Sequence, residues 1–128
     1  MKTRSRILVV DAEDVARRCC AASLGADYET RTASDAGEAL CEMQRQPADV
    51  VLLDLRNDGV EVLKALKKSW PQSEVVVMTR FPSIESAKDA VRNGAFDYLA
   101  KPVGPDQVSG AARKALLHKQ WALRESLN

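Results

Sequence analysis

Along this chain, short unbroken runs of apolar residues alternate with longer stretches in which apolar positions recur every three or four residues. The runs are ILVV at 7–10, VVLL at 50–53 and VVVM at 75–78. Continuous Val, Leu and Ile of this length fit strands covered on both faces, and the periodic stretches fit amphipathic helices. Strands are predicted over Arg6–Asp11, Tyr28–Thr32, Asp49–Asp54, Glu74–Thr79 and Phe96–Leu99. Alternation of this kind builds βα units, so the expectation is an α/β domain, a doubly wound parallel sheet of five strands.

The helices carry their own end signals. Asp58 and Glu61 have capping-box spacing, after which Val62 and Leu66 stack one turn apart on the buried side. Ser83 is placed to cap the fourth helix, in which Ile84, Ala87 and Val91 share a face before Gly94 stops it. Pro105 suits the first turn of a last helix that runs through Leu116, Trp121 and Leu123. No repeat, low-complexity stretch or linker divides the chain, so residues 1–128 are expected to form one domain, with 118–128 as a helical extension.

Composition narrows the partners. The 128 residues are 45% hydrophobic and 29% charged, enough for one core. Nineteen basic against eighteen acidic residues give a net charge of +1, so no global field draws the domain to nucleic acid or to a membrane surface. The basic start MKTRSR precedes too short an apolar run for a signal peptide, and no stretch approaches a membrane span, so a cytoplasmic protein is expected. Cys19, Cys20 and Cys41 form no Cys-x-x-Cys pair and are read as buried reduced thiols.

The candidate chemistry lies where strands end, because ligands of open parallel sheets bind beyond the carboxyl ends of the strands. Asp11 follows ILVV, Asp54 follows VVLL, Thr79 follows VVVM, and Lys101 lies just past the last strand. Two carboxylates about 5 Å apart repel by roughly 3 kcal/mol at an effective dielectric of about 20, so the pair calls for a bridging cation. Magnesium suits oxygen ligands and a phosphate; Asp11, Asp54 and Glu13 are the candidate donors. Asp54 can then act as a nucleophile toward a phosphoryl group, with Lys101 and the Thr79 hydroxyl contacting its equatorial oxygens.

The segments ILVVDAED, VVLLDLR, DGVEVLKAL, VVVMT and SIESAKDAVRNGAFDYLAKPV, at these intervals, resemble the receiver domain of two-component response regulators. The second half is most similar to receivers of NtrC-type transcriptional activators. The resemblance covers about Arg6 to Leu117 and implies a flavodoxin-like sheet of order 2-1-3-4-5 and a phosphoryl group taken from a histidine kinase. Carried over by position, it implies Asp54 as phosphoacceptor, Asp11 as a magnesium-site acid and the Arg56 backbone carbonyl as a further metal ligand. It further implies Thr79 as switch hydroxyl, Tyr98 as the aromatic that changes rotamer, Lys101 as the phosphate-pairing lysine, and a cis bond before Pro102. Such a domain is regulatory, at most catalysing its own phosphorylation and dephosphorylation. It signals to an output domain or partner through the fourth helix, fifth strand and fifth helix, and by homodimerisation.

Three departures from the family pattern stand out. Ala12 replaces the second of two adjacent acids, the one that touches the metal directly. The loop after Asp54 is shortened, with Arg56 meeting Asn57-Asp58-Gly59 at once. Arg80 follows Thr79 where a small residue is usual, so it is a candidate access gate. The first two motivate a rival reading, a pseudo-receiver that works by protein contact without phosphorylation. An Asp-nucleophile phosphohydrolase is a further rival, but its pattern has a second Asp where this chain has Arg56. His118 is read as a surface residue. Trp121 with Leu117 offers an apolar patch, either packed locally or open to a partner. No DNA-binding or ATPase segment is present, which suggests a single-domain regulator or a piece of a longer chain.

Overall fold

The computed structural model describes residues 4–56 and 59–126, and the capping box expected of Asp58 lies outside them. Five strands, β1 (Arg6–Val10), β2 (Glu29–Ala33), β3 (Val50–Asp54), β4 (Glu74–Thr79) and β5 (Asp97–Ala100), pair in parallel in the order β2-β1-β3-β4-β5. Between and after them run α1 (Asp14–Leu24), α2 (Ala36–Arg45), α3 (Gly59–Ser69), α4 (Ile84–Arg92) and α5 (Pro105–Ser126). This is the predicted doubly wound topology.

Successive strand side chains point to opposite faces, and here both faces are covered. On one face Leu8, Val10, Val51, Leu53, Val75 and Val77 meet α2, α3 and α4 through residues such as Met43, Leu63, Leu66 and Ala90. On the other, Ile7, Val9, Val50, Leu52, Val76 and Met78 meet α1 and α5 through Leu24, Val108, Ala112 and Leu116. Because α1 leaves β1 on one face and α3 leaves the neighbouring β3 on the other, a crevice opens at the carboxyl ends of β1 and β3, the topological switch point.

Strand limits differ from expectation by a residue at most ends. The shift of β5 to Asp97–Ala100 has consequences: it sets Ala100 opposite Thr79, and the Lys101 N–H donates to the Thr79 carbonyl at 2.7 Å. The Lys101-Pro102 bond is cis, as the resemblance implied. Ser83 caps α4, its hydroxyl accepting from the Ser86 N–H at 3.0 Å. After α4, Gly94 takes φ 96°, a left-handed conformation that costs glycine little.

On α4, Ile84 is 76% exposed and Val91 is exposed too, while Ala90, one position away, packs into the core. One expectation about packing needs correction: of the three thiols only Cys20 is buried. Cys19 and Cys41 lie on outer faces of α1 and α2, because adjacent helix positions point about 100° apart. Burial and then the Asp11 carboxylate push the Cys20 thiol up to about 11. Among the described residues no helix is long and apolar enough to cross a membrane.

Candidate phosphoryl-acceptor site

Each apolar strand delivers its terminal polar residue to the same crevice. Asp11, 2% exposed, follows β1 and opens the turn into α1: its Oδ1 accepts the Glu13 N–H at 2.9 Å and its Oδ2 accepts the Lys101 ammonium at 2.6 Å. Asp54 ends β3 one strand away, its carboxylate almost wholly buried. Lys101 Nζ lies 2.9 Å from Asp54 Oδ1, so one buried lysine bridges the two acids. Burial works to depress the Lys101 ammonium, but its hydrogen bonds to Asp11 and Asp54 outweigh this and raise its pKa.

The second oxygen of Asp54 is also occupied. Arg56, two residues on and therefore on the same side of an extended chain, donates from Nε to Asp54 Oδ2 at 2.8 Å. The hydrogen bond with Asp54 raises the Arg56 guanidinium further. The other end of that guanidinium reaches Glu13 Oε1 at 3.3 Å, and Arg80 pairs with Glu13 Oε2. Arg80 therefore spans the mouth of the site rather than pointing away from it. A cavity of about 660 Å³ opens there, lined by Glu13, Asp54, Arg56, Thr79, Arg80 and Ser86 among others.

Thr79 is buried beside this cavity, its hydroxyl oxygen accepting the Phe81 N–H at 3.1 Å and its own proton uncommitted to Phe81. Tyr98 does not leave its hydroxyl to water. The oxygen accepts the Ser83 N–H at 3.2 Å and pairs with the Ser86 hydroxyl, tying β5 to the first turn of α4 while the ring packs on the core.

The donors expected to hold magnesium are engaged by protein groups. Both oxygens of Asp11, both of Asp54 and both of Glu13 accept hydrogen bonds, and the Arg56 carbonyl accepts the Gly59 N–H at 2.8 Å. Ala12 adds no oxygen. Among the described residues no group of three or more His, Cys, Asp or Glu is arranged to hold a metal ion. As folded, this set does not fit the near-octahedral oxygen shell that magnesium demands.

Asp11, Asp54, Thr79 and Lys101, expected together, lie at one end of the sheet. Arg56, expected to offer its backbone carbonyl, engages the site through its side chain instead. The signal was present, since a cation two residues after a strand-end acid shares its side of the chain. The Arg80–Glu13 pair, 67 positions apart, had no local signal.

Comparison with known proteins agrees with this geometry. Residues 7–113 match the family model described as the response regulator receiver domain. The alginate biosynthesis transcriptional regulatory protein AlgB of Pseudomonas aeruginosa is 39% identical over 127 residues, covering 94% of this chain and 28% of that protein. The regulatory protein AtoC of Escherichia coli is 35% identical, covering 91% and 26%. The chain thus spans little more than a quarter of these curated relatives. Among solved structures, the receiver domain of NtrX from Brucella abortus is 38% identical with a TM-score of 0.80, over 86% of this chain and 97% of that one. A CheY-like receiver domain protein from Methanospirillum hungatei is 26% identical with a TM-score of 0.87, over 94% and 99%. A sheet of order 2-1-3-4-5, acids ending its first and third strands and a lysine following its fifth are thus accompanied by sequence likeness along most of the chain, which belongs to the response regulator receiver domain family.

Proposed function

We propose that Asp54 accepts a phosphoryl group from the phosphohistidine of a histidine kinase and that the domain switches an output partner in response. One observation carries the reading: Asp54 is a buried strand-end carboxylate facing a cavity, held by the side chains of two cations that a phosphoryl group can also engage. An Asp54 oxygen attacks phosphorus, the new P–O bond forms as the P–N bond breaks, and the departing imidazole takes the electron pair. Lys101 and Arg56 neutralise charge on the equatorial oxygens, and the Thr79 hydroxyl is free to donate to one of them. Arg56 stands where a phosphohydrolase would keep its general acid, and a guanidinium cannot give up a proton.

The switch follows from connectivity. A phosphoryl group adds negative charge and draws in Lys101 and Thr79. Thr79 leads directly through Arg80 and Phe81 to Ser83, whose N–H is held by Tyr98. Movement at Thr79 therefore reaches the first turn of α4 and the Tyr98 hydroxyl together. The surface so altered carries Phe81, 85% exposed, and the outward apolar face of α4. That surface with β5 and α5 is read as the output face, and exposed Leu117 and Trp121 on α5 as a dimer contact. Residues 1–128 are taken as one receiver domain with 118–128 as a helical extension, in a regulator whose output is transcriptional, as the name of AlgB states for that relative.

Intact-mass spectrometry after incubation with acetyl phosphate tests the assignment. Wild type should gain the mass of one phosphoryl group and Asp54→Asn none. A wild-type chain that gains nothing, in magnesium or in chelator, sinks the acceptor reading and leaves protein contact as the only route to a response.

A further inference from the structure

We infer that the Arg56 guanidinium does in this chain the bridging work of a divalent cation, so that Asp54 neither binds magnesium nor needs it to accept a phosphoryl group. The inference deepens the reading of Asp54 as acceptor and rests on it for the second half.

The geometry makes Arg56 a bridge. Nε reaches Asp54 Oδ2 at 2.8 Å and a terminal nitrogen reaches Glu13 Oε1 at 3.3 Å, so one cation joins acids that follow two different strands. Joining such acids is what a metal would do. Ala12 offers no oxygen there, and the Arg56 carbonyl accepts the Gly59 N–H at 2.8 Å.

Charge balance agrees. Asp11, Glu13 and Asp54 face Lys101, Arg56 and Arg80, so the cluster is neutral without a metal. A divalent ion would have to displace a guanidinium from Asp54 and give up part of its own tightly held hydration to enter. Arginine stays charged at every accessible pH, and its planar fork suits phosphoryl oxygens as well as carboxylates. Glu13 between Arg56 and Arg80 holds both guanidiniums at the cavity that an incoming phosphoryl group must enter.

Two measurements on the whole chain decide the matter separately. In a magnesium titration followed by amide NMR, the Ala12, Leu55 and Arg56 signals of wild type should show no saturable shift through the millimolar range. An Ala12→Asp/Arg56→Ala variant should acquire one. In acetyl phosphate labelling read by intact mass, wild type should react in EDTA within about twofold of its rate in magnesium, whereas a metal-dependent site, where losing even an outer-shell partner typically costs roughly 10- to 100-fold, should lose at least that much. Arg56→Ala should lose roughly 100-fold in EDTA, the scale of deleting one donor to a developing charge, and Arg56→Lys should recover part of it. Saturable magnesium binding by wild type, or labelling abolished by EDTA, overturns the inference. Labelling absent in both buffers removes the acceptor reading, and the titration alone then rules on Arg56.

Discussion

The two ends of the sheet both gather buried or half-buried acids, yet they hold them differently. At the amino end, Asp49 accepts the Arg6 backbone N–H at 2.7 Å as well as the Lys119 ammonium. Glu74 pairs with Lys67 and His118, and beside it Ser73 donates to the Ala48 carbonyl at 2.6 Å. Backbone groups share in this network, and it clamps α5 to the start of β3 and β4. At the carboxyl end, Asp54 is held by the side chains of Lys101 and Arg56 alone among the described residues, beside a large cavity. An acid tied to backbone, as Asp49 is here and Asp11 at the carboxyl end, helps to hold the fold, whereas Asp54, tied only to side chains beside a cavity, can exchange those partners for a ligand.

The comparison is most exposed at Lys101. Removing it leaves buried Asp11 without a cationic partner and Asp54 with Arg56 alone, so Lys101→Ala should destabilise the domain by about 3–5 kcal/mol in urea unfolding. If the strain lies in the paired acids, adding Asp54→Asn should return a good part of that loss, because the two sites are in contact and couple. Loss that is identical in the single and double variants would mean that the acids do not strain the fold.

What the sequence could disclose divides along the same line. Strand-end Asp11, Asp54 and Thr79 were legible because an apolar run stopped by a polar residue is a local signal, and Ser83 and Pro105 were legible as helix starts for the same reason. The outward face of α4 was not: the period of Ile84, Ala87 and Val91 reports a common face and is silent on which side the sheet lies. Ion pairing was illegible wherever it joined distant positions. His118 lies at the surface as expected, yet it also bonds to Glu74 44 positions away, with the rings of Phe96 and Trp121 tilted against it at 5.0 and 6.2 Å. Trp121 therefore has a neighbour on its own domain and still stands 59% exposed.

Glu74→Gln probes the other end. The side chain is buried and serves two basic partners, so its loss should cost roughly 1.5–3 kcal/mol, the worth of hydrogen bonds to charged groups. Phosphoryl labelling of Asp54 should be unchanged, since the defect lies at the opposite end of the sheet. A variant that unfolds normally but labels slowly would show that the ends are coupled and would break the division drawn here.

Asp49→Asn gives the smallest effect and the sharpest pH signature. Burial alone would raise this carboxyl, but the Arg6 N–H and the Lys119 ammonium outweigh it and lower the pKa from 3.8. The unfolded chain therefore takes up the proton first as pH falls. The stability contributed by Asp49 is full above the unfolded value and is lost as pH drops through the lower folded value. Replacing it with Asn should cost about 1 kcal/mol near neutral pH, the typical net worth of one hydrogen bond. Once pH falls through the lowered folded value the wild-type carboxyl becomes neutral too, so the difference in urea midpoint between the two proteins should narrow. A gap that stays constant with pH would mean that Asp49 acts through shape rather than charge, and the amino end would then owe its rigidity to packing alone.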